Sequence, residues 1–503
     1  MAAVGFRRLG ASAPTAVAAG VLYTFLPYHF VRNEVHLFLA IYVAAPMLGV
    51  LLVETLRGRP VLRWRGGWGR TLTHRRNLVT IALALLIGLT SVYYAAFAML
   101  LLPIAGGLRG VADRRWRTVV PPLVAAAACL LATAPMLLPG ALERLHDEPR
   151  FHPTRAPGQS ELLALRLVDL VLPVTEHVIE PLGDLSRRVR EGTFITNLPE
   201  VENSASLGAV ATVGFLLLAL TAVRRLLVPG GTGPEDGPAD DGIDAAAAAG
   251  AGLVFLTATV GGVSALVAYL VTDEVRAWSR LSVLLAFFCL LAIARALDRA
   301  RSRLARWPAA FPAVVVAVVV VGMLDQAAPS AFVPPYETAA ADAEAIEALA
   351  VAVAADLPDG TDVLQLPFVS FPEQAYVATM PMYAPLHPTV FVDSLRWSTG
   401  AVAGTAEDWA GPLVGADVET QLLAGAAVGF DAAWVDLRGF DDPSAALATL
   451  EARLGPPDHT STVPAIVVWD LRPHIDRLRV DAEAAAAQDP VLREAIDAAL
   501  AAA

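Results

Sequence analysis

As far as residue 327, apolar residues come in long blocks divided by short polar stretches. A membrane-spanning helix needs roughly 20 predominantly apolar residues. Blocks of about that kind lie at 11–28, 35–54, 118–138, 207–227, 247–271, 281–297 and 308–327. The block 78–107 is longer. As one helix it would measure about 45 Å at 1.5 Å per residue, more than the hydrocarbon core requires.

Arginine in the short polar stretches orients the blocks. The segments 57–76 (RGRPVLRWRGGWGRTLTHRR), 108–117 (LRGVADRRWR) and 295–307 (RALDRARSRLARW) are strongly basic and are expected on the cytoplasmic side. Two basic stretches on one side need an even number of crossings between them, so 78–107 reads as two helices turning near Tyr93 and Tyr94. The pattern then predicts about nine crossings, with the N-terminus inside and the C-terminus outside. Residues 29–35, the long loop 140–206 and the segment 272–280 fall outside, and 229–246 forms a cytoplasmic linker.

Beyond 328 the period changes. Segment 337–357 has helical spacing, whereas 362–368 (DVLQLPF), 432–437 (AAWVDL) and 465–471 (AIVVWDL) read as short buried strands. With helices at 442–454 and 473–486, residues 328–480 predict an extracytoplasmic α/β domain. Residues 481–503 read as a peripheral, low-complexity helical tail. The transmembrane domain is thus 1–327.

Composition agrees with a membrane protein: 56% of the 503 residues are hydrophobic and only 17% charged. All basic side chains other than histidine are arginine; acid and base are segregated along the sequence, so the net charge of −12 misleads as a whole-chain number, and no nucleic-acid partner is expected. Cys129 and Cys289 lie inside apolar blocks and imply neither a disulfide nor a metal framework. His146, His152 and His177 lack metal-ligand spacing, so no metal ligands are assigned.

Three outer segments carry candidate chemistry. In LPYHFVRNEVHLFL (26–39), His29, Arg32 and His36 are three and four residues apart, although Asn33 and Glu34 also suit a helix cap. In TDEVRAWSR (272–280), Arg276 and Arg280 stand where arginine is disfavoured, next to Asp273 and Glu274. Arginine recognises phosphate through a bidentate fork, and pairing with the two acids is the structural alternative. In 197–208 (NLPEVENSASLG), Glu202 is either a helix cap or a polar group presented at the surface. Loop 161–173 is amphipathic and reads as lying flat on the membrane. Within 367–409, Phe371, Tyr383 and Trp397 beside Arg396 could offer a stacking surface for a sugar or prenyl chain.

Taken in order, PYHFVRNEVHLFLA, SVYYAAFAMLLL, VENSASLG, VRAWSRLSVLLAFF and QLPFVSFPE…SLRWSTGAVAG…DW resemble a family of bacterial polytopic proteins. Its members are described as sugar translocases or membrane glycosyltransferases with the GT-C architecture. The resemblance runs over most of 20–480. It implies transfer of a sugar from a polyprenyl-phosphate donor to an envelope glycan, lipid or protein acceptor, in the bacterial cytoplasmic membrane. It also implies a carboxylate that activates the acceptor or binds a divalent metal, with Glu202, Asp273 and Glu274 as the candidates. His29, Arg32, His36, Tyr93, Tyr94, Arg276, Arg280, Arg396 and Trp397 become substrate-binding candidates. Longer relatives carry further segments and an acidic outer loop ahead of the PYHF stretch, so the resemblance implies an apparent N-terminal truncation: either Met1 is a late start, or the chain is a fragment, or this branch has lost the catalytic loop. A non-catalytic translocase or lipid-linked-sugar binding protein is the alternative, and a structural envelope protein a third.

Overall fold

A computed structural model describes residues 1–32, 36–143, 155–175, 177–191, 205–227, 242–304, 306–326, 336–372, 377–405, 407–462 and 464–502. They fall into two compact units, a helical one within 1–326 and a mixed one within 336–502.

Among the described residues, five helices are long and apolar enough to cross a membrane: Leu37–Leu56, Val92–Asp113, Trp116–Leu142, Ala209–Leu227 and Trp278–Arg303. Ile243–Ala258 and Ala310–Gln326 are apolar but shorter. Three of the expected blocks are interrupted, 35–54 among them, where Ile41–Val43 separates Leu37–Ala40 from Ala44–Leu56. The block 11–28 holds a helix at Ala13–Thr24 and a second, short one at Pro27–Arg32. The block 247–271 breaks at Thr259–Gly262, between Ile243–Ala258 and Val263–Leu270. The break occurs where Gly261 adopts φ +68°, and loop backbone satisfies groups that the helix gives up. Leu165 donates to the Ala258 carbonyl at 2.7 Å and accepts from Val260 at 3.2 Å. The linker expected at 229–246 lies mostly outside the described residues; 243–246 is the first turn of a helix.

The long block divides as the charge pattern requires, with the turn slightly earlier than expected. Helices Arg75–Thr90 and Val92–Asp113 meet at Ser91, whose backbone is extended. Their far ends return to one place, the C-terminal end of Ala44–Leu56. Arg76 lies 3.7 Å from Glu54, and Arg109 donates to the Leu56 carbonyl at 3.3 Å. Val92–Asp113 and Ser282–Arg303 start together, because Trp278 packs on Phe97 with ring centroids 5.6 Å apart. The arginine-rich ends of Ala44–Leu56, Val92–Asp113 and Ser282–Arg303 therefore gather at one end of the unit. Asp298 accepts from Ser12 at 2.7 Å and Arg295 from the same region donates to Asp244 at 2.5 Å, so 12–15 and 243–244 join that end. The other end carries 23–32, 36–42, Tyr93, Tyr94 and 258–280.

Between the ends, close packing replaces a hydrophobic driving force that lipid would not supply. Gly5 and Gly49 both face the Phe287 ring, which also stacks on Phe6 at 4.8 Å. A side chain at Gly49 would occupy the space that this ring fills.

The second unit is a five-stranded mixed sheet between helical layers. Its strands are β1 (Asp362–Leu366), β2 (Arg396–Trp397), β3 (Ala432–Asp436), β4 (His459–Thr462) and β5 (Ala465–Asp470), in the order β2-β1-β3-β5-β4. β2 and β3 run parallel to β1, whereas β5 is antiparallel to β3 and β4. Alternate residues of a strand face opposite sides. Thus Ala432 and Trp434 join Ile346, Leu349 and Val353 of Tyr336–Asp356, while Ala433 and Val435 join Leu422, Leu450 and Leu478 on the other face. The three strands and the helices expected from sequence are present; β2 is too short, and β4 (HTST) too polar, to stand out from sequence. The tail is helical as expected, but it is not peripheral. Leu492 and Ala495 of Pro490–Ala502 are buried in the same core as Leu422, so the unit extends past 480.

Candidate functional site

The aromatic end of the helical unit is built around Tyr42. Its hydroxyl donates to the carbonyls of Tyr23 and Thr24, both at 2.9 Å, which satisfies two of the free carbonyls at the end of Ala13–Thr24. Its ring takes Tyr23, Tyr28 and His29 edge-on, with centroids 5.4, 5.8 and 6.4 Å away. Pro27 starts the next short helix, which ends at Arg32. The Arg32 guanidinium lies 5.0 Å from the centroid of the Tyr28 ring, and the side chain is only 1% exposed.

The segment 272–280 divides into two halves. Glu274 pairs with Arg155 at 3.3 Å, Arg276 donates to Gln159 at 3.2 Å and Asp273 is half-buried. The second half turns inward as a 3-10 turn, Trp278–Leu281. Arg280 is 7% exposed and its guanidinium sits 4.1 Å from the centroid of the Tyr93 ring, a cation–π contact. Tyr94 connects the two arginine regions, having Arg280 and the hydroxyls of Tyr28, Tyr23 and Tyr42 within electrostatic reach.

The chemistry of this cluster is one-sided. Arginine and the indole N–H donate only, and a tyrosine hydroxyl can donate. The described groups around Tyr94 are tyrosines and Arg280, with no carboxylate among them. The buried Tyr23 hydroxyl, Tyr94 hydroxyl and Trp278 Nε1 have no hydrogen-bond partner among the described residues. Native interiors rarely leave such groups unsatisfied. An acceptor-rich anion is the ligand class that this set would satisfy.

Of the residues singled out from sequence, Arg32, Arg280, Tyr93, Tyr94 and His29 share this cluster. His36 follows directly, its backbone N–H donating to the Arg32 carbonyl at 2.9 Å. Glu202 lies outside the described residues. Arg396 and Trp397 belong to the second unit. Arg396 is held by both oxygens of Asp362, and Trp397 packs edge-on against Trp434 at 5.5 Å while donating to the Val392 carbonyl at 3.2 Å. Tyr383 donates to the Pro372 carbonyl at 2.9 Å.

One carboxylate escapes a reading by pattern. Asp169 lies in Leu167–Val171 and is buried. Burial pushes its carboxyl above the usual range, and Arg190 and Arg166 pull it back in part. The only signal was a single acid inside LRLVDLVLP. That stretch, expected to lie flat on the membrane, forms short helices joined to the unit by backbone hydrogen bonds. Ser279 donates to the Leu163 carbonyl at 3.0 Å and Leu207 to that of Leu170 at 3.1 Å. Among the described residues no three His, Cys, Asp or Glu side chains come together as a metal would require, so no step is assigned to a metal. No protein-family model matches the chain, and no curated protein matches it.

Proposed function

We propose that this chain acts on polyprenyl-phosphate sugars at the extracytoplasmic face of a bacterial cytoplasmic membrane, as a GT-C-type glycosyltransferase. The observation that carries the reading is the donor-rich cluster that the described residues form at the aromatic end. Two buried guanidiniums, each on a tyrosine ring, accompany three buried polar groups that have no hydrogen-bond partner among the described residues. A lipid-linked phosphate offers charge and acceptors to such a set, and its chain suits the apolar surroundings. The arginine-rich ends support a cytoplasmic assignment for the opposite end and an outer one for this cluster.

In the reaction, the acceptor hydroxyl attacks the anomeric carbon and a carboxylate takes its proton. The bond from that carbon to the phosphate oxygen breaks, and polyprenyl phosphate leaves with the electron pair. Arg32 and Arg280 stabilise the charge that builds on the leaving phosphate. The base falls to Asp273, to the buried Asp169 or to Glu202, which lies outside the described residues, since Glu274 is engaged by Arg155. General-base assistance contributes about 10²–10⁴-fold.

A binding protein or translocase for the same lipid is the second reading: it uses the same arginines and needs no base, and the described groups around Tyr94 are tyrosines and Arg280. Purified full-length protein, labelled polyprenyl-phosphate sugar and an envelope extract as acceptor source separate the two. Release of polyprenyl phosphate that stops in Asp273→Asn, Asp169→Asn or Glu202→Gln, with binding retained, is expected of the enzyme. Tight binding without release supports the translocase. Unchanged binding in Arg32→Gln/Arg280→Gln overturns both.

A further inference from the structure

A second candidate site lies at the arginine-rich end of the helical unit. A cavity of about 670 Å³ opens between the turn 55–61 and the segment 109–122. Four arginines line it, Arg59, Arg109, Arg115 and Arg117, and the described lining residues include no carboxylate. Its walls are set by local structure. Val92–Asp113 ends with Arg114 in a left-handed conformation at φ 51°, after which Trp116–Val119 forms a 3-10 turn into the next helix. Gly58, at φ +75°, turns the opposite wall so that its Cα faces the Arg109 guanidinium. Arg109 is fixed there by Asp113, with Nε donating at 2.8 Å, and by the Leu56 carbonyl.

The position of the cavity matters as much as its charge. It lies where two of the candidate spans meet, one ending at Asp113 and the other beginning at Trp116. The Trp116 indole is 69% exposed, and Arg115 and Arg117 beside it are exposed too. An exposed tryptophan between arginines at the mouth of a span is the composition of a membrane–water interface. Basic pockets between helices at that level recognise acidic headgroups.

We propose that this cavity binds a phosphate-bearing anion at the membrane surface, either the headgroup of an acidic lipid or free phosphate. Arg115 and Arg117 supply mobile donors at the mouth, and Arg109 is a fixed charge at the wall. The site is separate from the aromatic end of the unit and does not depend on the activity proposed there.

Native mass spectrometry of the full chain, titrated with phosphatidylglycerol and separately with phosphatidylcholine, tests it. Retention of phosphatidylglycerol alone is expected. Arg115→Gln/Arg117→Gln should weaken it roughly 30-fold, at about a fivefold loss per interfacial arginine. Thr118→Trp, which fills the cavity and keeps every charge, should weaken it as well. Arg224→Gln/Arg225→Gln removes exposed charge from another helix end and should leave it unchanged. Competition by millimolar inorganic phosphate would identify free phosphate as the source, and its failure the lipid. Equal retention of phosphatidylcholine, wild-type binding in Arg115→Gln/Arg117→Gln, or an equal loss in Arg224→Gln/Arg225→Gln would overturn the proposal.

Discussion

At one end of the helical unit, Arg32 and Arg280 are 1% and 7% exposed and rest on tyrosine rings. At the other end, Arg115 and Arg117 stand in the open beside an exposed indole. The same residue type answers two different physical demands. An exposed arginine keeps its hydration and costs little, so its number can follow the membrane's preference for positive charge on one side. A buried guanidinium is costly to desolvate and is retained where partners compensate it. Counting arginines therefore identifies the exposed end, whereas burial identifies the aromatic one.

The largest effect that would sharpen this contrast is expected on ligand binding. Arg32→Gln/Arg280→Gln should reduce affinity for polyprenyl phosphate by about 10²–10⁴-fold, at about 1.5–3 kcal/mol per charged hydrogen bond. Equilibrium binding with the labelled lipid measures it, and a loss under tenfold would place these arginines among the merely structural ones. Between the two ends, Gly49→Ala should wedge Phe287 away from its helix. Overpacking of this kind costs about 1–3 kcal/mol, read from the thermal midpoint in detergent, with both ends weakened together. Tyr93→Leu removes the ring beneath Arg280 and keeps apolar bulk. A contact of that type is worth about 0.5–2 kcal/mol, so lipid affinity should fall by roughly 2–30-fold.

The pH response should differ between the ends as well. Burial raises the Asp169 carboxyl, so its stabilising contribution is complete below the ordinary aspartate pKa of about 3.9 and is lost as pH rises through the raised value. Relative to Asp169→Asn, the wild-type thermal midpoint should therefore decline as pH rises from about 4 through that window. A flat difference between the two proteins would show that the carboxyl is not desolvated. The smallest effect is expected from Arg224→Gln/Arg225→Gln, whose stability should stay within about 0.5 kcal/mol of wild type by the same thermal measurement. A larger loss would mean that exposed arginines also hold the bundle together.

Much of this fold is legible in the sequence, because apolar blocks and charged stretches are local signals. The helical hairpin is an example: arginines on either side of 78–107 required a turn, and Ser91 provides it. β1, β3 and β5 were legible for a related reason, since a strand buried on both faces is a continuous apolar run. The interruption at Thr259–Gly262 was not, because it depends on Leu165 arriving from a distant loop to pair with the opened backbone. The candidate site divides in the same way. Arg32 and Arg280 stood out individually against the charge pattern. The neighbourhood of Tyr94 with Arg280 and Tyr28, the burial of Asp169 and the capture of Glu274 by Arg155 arise from contacts that no periodicity records.

The joint at Ser91 decides which residues meet. Joined as one helix, 75–113 would hold Arg76 and Arg109 about 50 Å apart at 1.5 Å per residue, and the two could not both reach the end of Ala44–Leu56, as they do. A mutation that straightened this joint would leave composition and apolar content almost untouched, yet it would part the two arginines from the one helix end that they share.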